Sequence, residues 1–204
     1  MMVKRELETD LDFEFGRKFF VVTFHPETLS NQSSGEQFEQ LLRALDRFQD
    51  YKILFTMSNA DAGGREINNM ITDYVQANQC RCIAARSLGH ARYLSSVSIS
   101  NGVIGNSSSG LIEAPSLKVG TVNIGGRQDG RVRGDSVIDC EPQEDEIFLA
   151  IERLLSDEFM KVVRSTVNPY GSEPVAARIA EQLSVADLSA ITKKSFYTIF
   201  DEAS

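Results

Sequence analysis

The feature that most constrains the fold of this chain is a regular alternation between short apolar runs and segments whose apolar residues recur at helical spacing. The runs have the length of strands, and they are apolar almost continuously rather than at every second residue. Such strands are typical of a parallel sheet whose two faces are both covered by helices. We therefore predict an α/β fold of this type. The predicted strands are 19–24, 53–57, 82–85, 102–105, 120–124 and 137–140, and the predicted helices are 36–49, 67–75, 89–98, 143–155 and 174–183.

Length and charge narrow the class of protein. The 204 residues are enough for one domain with a core of ordinary size. The net charge of −8, without a lysine- or arginine-rich run, argues against nucleic acid as a partner. No apolar stretch approaches the about 20 residues that span a bilayer, and the N-terminus lacks an apolar signal core. Cys80, Cys82 and Cys140 fit neither a disulfide framework nor a zinc site, so we expect reduced thiols and therefore a cytoplasmic protein. We also expect no metal and no other cofactor.

Polar residues follow each of the first five predicted strands. Ligands of open parallel sheets bind outside the carboxyl ends of the strands, where such loops meet. Convergence of five loops on one rim predicts a binding site there more strongly than any single loop does. The residues concerned are His25 after the first strand, Asn59 and Asp61 after the second, Ser87 after the third, Ser107 and Ser108 after the fourth, and Arg127 after the fifth.

The run Gly105–Glu113 is the most specific of these signals. Small and hydroxylated residues between a strand and a helix leave backbone N–H groups free for a phosphate. Glu113 would repel a phosphate and is better suited to accept hydrogen bonds from a neighbouring ribose diol. The run therefore predicts a nucleotide site, although an ordinary helix cap with a surface glutamate would have the same composition. Pro115 predicts that the helix of this segment is short or bent.

His25 stands at the end of the first strand, where Pro26 fixes the direction of the chain. A histidine there can donate a hydrogen bond to a phosphate or a leaving group, and the alternative is a histidine that only caps the loop. His90 falls in a predicted helix, and we interpret it as structural or on the surface.

Two further loops carry candidate ligand-binding side chains. Asn59 either reaches the ligand or belongs to an Asx turn in which Asp61 caps the next helix. Arg127 and Arg131 lie in a glycine-rich loop, and arginine forks match phosphate oxygens, although loop arginines are usually solvated. Before the first of the helices, Ser34 begins a capping-box spacing.

Five segments of the chain follow one another in a specific order and spacing, between about residues 19 and 157. In that order they resemble the hydrolysing UDP-N-acetylglucosamine 2-epimerases. The resemblance implies a Rossmann-like domain that corresponds to the C-terminal half of a two-domain GT-B fold. Non-hydrolysing relatives usually carry an aspartate-serine-glycine-glycine version of the phosphate cradle, which favours the hydrolysing branch here. The matching segments are Thr23–Pro26, Ser58–Asp61, Gly105–Gly110, Glu113–Pro115 and Asn123–Arg131.

The resemblance also implies a role for each candidate residue. Ser107 and Ser108 would hold the diphosphate, and Glu113 the ribose diol. Arg127 would lie near the phosphates and His25, a supporting catalytic candidate, beside the diphosphate–sugar junction. The Ser87–Leu88 backbone would lie near uracil, and Asn59 is retained as a candidate substrate-binding residue.

By the same resemblance, the whole protein would invert C2 of UDP-N-acetylglucosamine and release UDP, giving N-acetylmannosamine for sialic-acid-type sugar synthesis. The acidic residues that exchange the C2 proton belong to the N-terminal domain of the family, so this chain alone is expected to bind UDP and turn over little or nothing. Two alternatives stay open: the nucleotide half of a GT-B glycosyltransferase, and a free-standing UDP-sugar binding module.

The domain organisation expected from the sequence has three parts. Residues 1–18 are interpreted as a linker or N-terminal extension, 19–185 as the UDP-binding domain, and 186–204 as a C-terminal helix or tail. The exposed apolar residues of the tail predict a docking partner, either the N-terminal domain or a second copy of the chain.

Overall fold

The computed structural model describes residues 1–27, 32–59, 63–171 and 175–187. The chain divides into two compact units, 1–171 and 172–204. Within the first unit, six strands form one parallel sheet in the order β3-β2-β1-β4-β5-β6. The strands are β1 (Phe19–Thr23), β2 (Lys52–Thr56), β3 (Cys82–Ala85), β4 (Gly102–Gly105), β5 (Thr121–Ile124) and β6 (Val137–Cys140).

Among the described residues, a helix follows each of the first four strands, whereas β5 leads to β6 without a helix between them. Helix α8 belongs to the second unit, and none of its residues is buried. The others belong to the first unit, which also has a 3₁₀ turn at Ala114–Leu117. The helices are α1 (Lys4–Leu11), α2 (Ser34–Asp46), α3 (Gly64–Ala77), α4 (Gly89–Ile99), α5 (Ser109–Ile112), α6 (Glu144–Leu154), α7 (Asp157–Ser165) and α8 (Ala176–Val185).

Both faces of the sheet are covered, as the continuous apolar strands predicted. Successive side chains of β1 alternate between two hydrophobic clusters: Phe20 and Val22 lie in one, Phe19 and Val21 in the other. Because strand side chains alternate in direction, the two clusters lie on opposite faces. Helices α2, α3, α6 and α7 supply the first cluster, and α1 and α4 supply the second. The predicted α/β fold class and its six strands are therefore confirmed.

The N-terminal segment packs on this domain. Residues 1–18, interpreted from sequence as a linker or extension, contain α1, and Leu7 and Phe15 are 0% exposed in the second cluster. Helices α1 and α7 were not predicted. The division of the chain into 1–18, 19–185 and 186–204 stays a prediction, and residues 188–204 of the expected tail lie outside the described residues.

Two predictions about helix ends have different outcomes. The helix after β4 is short, as Pro115 indicated: α5 has four residues and gives way to the 3₁₀ turn that contains this proline. The capping box of α2 begins one residue before the predicted Ser34. Ser33 accepts a hydrogen bond from the Glu36 N–H at 3.2 Å and its own N–H donates to the Glu36 carboxylate at 2.9 Å. Ser34 instead accepts from the Glu27 N–H.

Candidate functional site

A cleft of about 380 Å³ opens at the carboxyl ends of the central strands. The strand order reverses between β1 and β4, and such a switch point is where open α/β sheets leave a crevice for a ligand. The ends of β1 and β2, the loops after β1, β3 and β4, and the helices α4 and α5 contribute to the cleft. Its lining is Thr23, His25, Thr56, Ser87, Leu88, Gly89, His90, Tyr93, Ser107, Ser108, Ser109 and Glu113.

Six of the eight residues predicted for the site line this cleft. His25 comes from the end of β1, Ser87 and Leu88 from the loop after β3, and Ser107 and Ser108 from the loop after β4. Glu113 follows α5 and completes the group. The structure thus brings together residues that are separated by as many as 88 positions in the sequence, between His25 and Glu113.

The serine loop begins at a point where the backbone demands glycine. Gly105, the last residue of β4, has a φ of +133°, and a Cβ there would overlap with the carbonyl oxygen of Thr23 on β1. The next residues turn away from the sheet, and the Ser107 hydroxyl accepts a long hydrogen bond of 3.4 Å from the Ser109 N–H. Because α5 has only four residues, its dipole is weak, and the half-buried hydroxyls of Ser107 and Ser108 are the principal polar groups that this loop offers.

His25 is 9% exposed, and the loop after β2 contacts its imidazole at Nδ1. The backbone N–H of Asn59 donates to its Nδ1 at 3.3 Å, and the Ser58 hydroxyl lies 3.3 Å from the same nitrogen. A backbone N–H can only donate, so Nδ1 acts as the acceptor and the neutral ring carries its proton on Nε2. The loop after β2 therefore fixes the tautomer of His25.

Tyr93, on α4, lines the cleft beside Ser109 and Glu113. Burial raises the pKa of its hydroxyl above the ordinary value, and the charge of Glu113 adds to this shift. Tyr93 is therefore a neutral hydrogen-bonding group at physiological pH. The hydroxyls of Thr23 and Thr56, which also line the cleft, are hydrogen-bonded to each other at 2.6 Å.

Two predicted site residues lie outside the lining. Asn59 is exposed, and the contact that it makes with the site is the one from its backbone N–H to His25. Arg127 is half-buried, and its Nη1 donates to the carbonyl oxygen of Asn106 at 3.0 Å. Arg131 is exposed, and Asp61 lies outside the described residues.

The sequence interpretation missed several residues at the cleft. His90 is exposed, in agreement with the interpretation of a structural or surface residue, and it also lines the cleft, because it is the second residue of α4. Asn106 was part of the recognised run without a role of its own. Its position directly after a buried strand was the signal that could have drawn attention to it.

The thiols offer no nucleophile to this site. Cys80, Cys82 and Cys140 are free, and burial raises the pKa of Cys82 to about 11 and that of Cys140 to about 12. These two thiols stay protonated at neutral pH. In the part of the chain that the structure describes, no group of three or more His, Cys, Asp or Glu residues could hold a metal ion. Among those same residues, no helix has the length and apolar character needed to cross a membrane.

Comparison with known proteins finds one matching family model and several similar curated proteins. The family model described as UDP-N-acetylglucosamine 2-epimerase matches residues 1–184. The polysialic acid biosynthesis protein P7 of Escherichia coli is 43% identical over 168 residues, which cover 80% of this chain and 42% of that protein. The GDP/UDP-N,N'-diacetylbacillosamine 2-epimerase (hydrolyzing) of Campylobacter jejuni is 36% identical over 156 residues, covering 76% and 40%.

Solved structures share the fold at low sequence identity. The S. aureus MnaA–UDP co-structure matches with a TM-score of 0.66 and 17% identity, over 95% of this chain and 51% of that one. The Neisseria meningitidis UDP-GlcNAc 2-epimerase bound to UDP-GlcNAc matches with a TM-score of 0.64 and 14% identity, over 89% and 48%. The chain thus spans about two fifths of those curated relatives and about half of those solved chains.

Proposed function

The chain belongs to the UDP-N-acetylglucosamine 2-epimerase family, and on that premise we propose that its cleft binds the UDP portion of a UDP-N-acetylhexosamine. The observation that carries the proposal is the convergence of six predicted ligand-binding residues on one cleft at the switch point of the sheet. Solved relatives with UDP or UDP-GlcNAc bound share this fold, which supports the choice of ligand.

Each part of the ligand has a chemical counterpart in the cleft. The hydroxyls of Ser107 and Ser108 donate hydrogen bonds to the diphosphate. The carboxylate of Glu113 accepts hydrogen bonds from the two ribose hydroxyls, and the backbone of Ser87 and Leu88 meets the edge of uracil. Arg127 adds positive charge near the phosphates: its guanidinium has five donors, and the bond to Asn106 uses one of them.

His25 acts at the junction between the diphosphate and the sugar. With Nδ1 accepting from the Asn59 N–H, the neutral ring presents an N–H at Nε2. That group can donate a hydrogen bond to the phosphate oxygen on which negative charge develops as the C1–O bond breaks. A fixed donor at such a position lowers the barrier for departure of UDP.

The whole protein is proposed to convert UDP-N-acetylglucosamine and water into N-acetylmannosamine and UDP. Inversion at C2 requires groups that remove and return a proton, and we assign these to the part of the family that this chain does not match. The chain by itself is then expected to bind UDP and to turn over little or nothing.

The proposed product suggests a pathway, and the free cysteines suggest a cellular compartment. We propose that N-acetylmannosamine supplies sialic-acid-type sugar synthesis, which the name of the E. coli relative supports. We also propose a cytoplasmic location, which the free cysteines support, because thiols stay reduced there.

Calorimetric titration of the chain with UDP tests the nucleotide site. We expect saturable binding of UDP to one site. Ser108→Ala and Glu113→Ala should each lower the affinity for UDP about tenfold, because each variant removes hydrogen bonds to UDP, and a hydrogen bond to a charged or buried partner is worth about 1–3 kcal/mol. GDP in place of UDP tests the choice of base and should bind more weakly.

Matched controls for these variants are Ser165→Ala and Glu158→Ala, which change exposed residues of α7. They should leave the affinity for UDP unchanged. Failure of the unaltered chain to bind UDP would contradict the proposal, and so would an equal effect of the cleft variants and the controls.

A glycosyltransferase half is the second candidate, because the fold match extends to the sucrose-phosphate synthase of Thermosynechococcus elongatus, with a TM-score of 0.54 and 16% identity. Fold alone does not assign a reaction. Incubation of the full-length gene product with UDP-N-acetylglucosamine separates the candidates. Release of N-acetylmannosamine and UDP without an acceptor sugar supports the epimerase, whereas turnover only with an acceptor and with retained C2 configuration supports the transferase.

A further inference from the structure

Asn106 is a fully buried residue between the serine loop and His25, and its side-chain amide holds the backbone of His25 in two places. The His25 N–H donates to Asn106 Oδ1 at 2.7 Å, and Asn106 Nδ2 donates to the His25 carbonyl oxygen at 2.8 Å. One side chain thus satisfies both polar groups of the residue that carries the imidazole. Bonds with these lengths in a buried setting fix position closely.

These two bonds continue the pairing of β1 with β4 beyond the end of the sheet. The register pairs Thr23 with Gly105, and the Asn106 N–H donates to the Thr23 carbonyl at 3.1 Å. Past this point the backbone of β4 turns away to form the serine loop. The side-chain amide of Asn106 has a donor and an acceptor, as a peptide group does. It forms the hydrogen bonds with His25 that the backbone of β4 would form if the strand continued.

The carbonyl of Asn106 is held in turn by the loop after β5. Arg127 Nη1 donates to it at 3.0 Å and Gln128 Nε2 at 2.7 Å. Gln128 is 1% exposed, so this contact is buried. Asn106 therefore joins the ends of three adjacent strands, β1, β4 and β5, directly beneath the cleft.

We infer that Asn106 is a positioning residue, which sets the distance between the imidazole of His25 and the hydroxyls of Ser107 and Ser108. This inference rests on the proposed function, in which the histidine and the serines contact the same diphosphate. Arg127 and Gln128 act on the site through the Asn106 carbonyl, in addition to any contact that Arg127 makes with phosphate. Loss of the Asn106 amide lets His25 and the serine loop move independently.

The test compares Asn106→Ala with a matched change at the other end of the same strand. Asn101 precedes β4, and its Oδ1 accepts from the Phe19 N–H at 2.8 Å, so it also ties β1 to β4 through a side-chain amide, at the edge away from the cleft. For both variants we measure the thermal midpoint, UDP affinity by calorimetry, and the long-range ¹H–¹⁵N spectrum of the histidine rings. The chain has two histidines, and His90→Gln assigns their signals.

We expect both variants to lower the thermal midpoint, because Asn106→Ala removes two buried hydrogen bonds between β1 and β4, and Asn101→Ala removes one part-buried hydrogen bond between them. Asn106→Ala alone should weaken UDP binding about tenfold or more and change the ring signals of His25 in the absence of UDP. If Asn101→Ala changes affinity and ring signals as much, or if Asn106→Ala changes neither, the positioning role is wrong.

Gln128→Met provides a second variant should Asn106→Ala fail to fold. It removes one donor to the Asn106 carbonyl and leaves the amide in place. A shift of the His25 ring signals, smaller than the one expected for Asn106→Ala, together with a severalfold loss of UDP affinity supports the inference. Unchanged ring signals overturn it. The ring spectra need no ligand, so they decide this inference even where UDP fails to bind the unaltered chain, an outcome that would refute the proposed function instead.

Discussion

At the residue scale, single positions in this fold are set by backbone geometry that leaves little choice of side chain. Gly105 is the clearest case, because its positive φ and the nearness of the Thr23 carbonyl both exclude a Cβ. The same position directs the chain out of the sheet and toward the serines. The geometry of the cleft therefore depends on the absence of one side chain.

Gly105→Ala should be strongly destabilising, with a loss in the free energy of unfolding of about 2–4 kcal/mol from strain and overlap together. Gly130 has a φ of +78° with no atom within 4 Å of an added Cβ, so Gly130→Ala reports the cost of the positive φ alone. That control should lose about 1 kcal/mol. Urea denaturation measures both, and equal losses would mean that the overlap with Thr23 is relieved.

At the scale of elements, helix starts are decided by contacts that sequence spacing describes only to within a residue. Both Ser33 and Ser34 precede α2, and the spacing of Ser34 with Gln37 predicted a capping box there. In the structure Ser33 takes this role, because Ser34 is engaged by the N–H of Glu27 from the loop after β1. A tertiary contact thus selects between two adjacent candidates.

Ser33→Ala should remove the cap of α2 and lower the free energy of unfolding by about 1 kcal/mol. Its specific signature is faster hydrogen exchange at the Glu36 amide, the donor to the Ser33 hydroxyl. Ser34→Ala serves as the control and should leave exchange at Glu36 unchanged. Faster exchange at the Gln37 amide in the Ser34 variant would instead support the capping box that the sequence predicted, in which Ser34 accepts from Gln37.

At the scale of the whole first unit, the sheet needs a cover on each face, and the N-terminal segment supplies part of one. Leu7 of α1 and Phe15 are 0% exposed and share a cluster with Phe19 and Val21 of β1. Amphipathic patterning over these few residues was too brief to distinguish a packed helix from a linker. Burial against the sheet, rather than helix propensity, accounts for this element.

Leu7→Ala should therefore lower the free energy of unfolding by about 2–5 kcal/mol, the usual cost of a cavity in a core. Val3 precedes the same helix and is 62% exposed, so Val3→Ala is a control that should change stability little. Denaturation of the 204-residue chain by urea provides the comparison. A negligible effect of Leu7→Ala would mean that the segment acts as a linker in solution.

The class of fold was predictable from the sequence, because hydrophobic periodicity is local: each strand and most helices are encoded within about a dozen neighbouring residues. It also indicated the rim, since residues that end parallel strands share one edge of the sheet. The resemblance added the ligand and the candidate roles, which stay predictions, and six of the eight candidate residues line one cleft.

Which groups meet at that rim depends on the tertiary structure and could not be predicted from the sequence. The amide of Asn106 reaches His25 across 81 positions because β4 returns to pair with β1, and Arg127 reaches Asn106 because β5 pairs with β4. Strand order is a property of the whole sheet, because β1 pairs with β4, a strand that is distant from it along the chain. The chain therefore encodes its elements and its rim residues locally, while the positions of His25, Asn106 and the serines relative to one another arise only when the sheet is assembled.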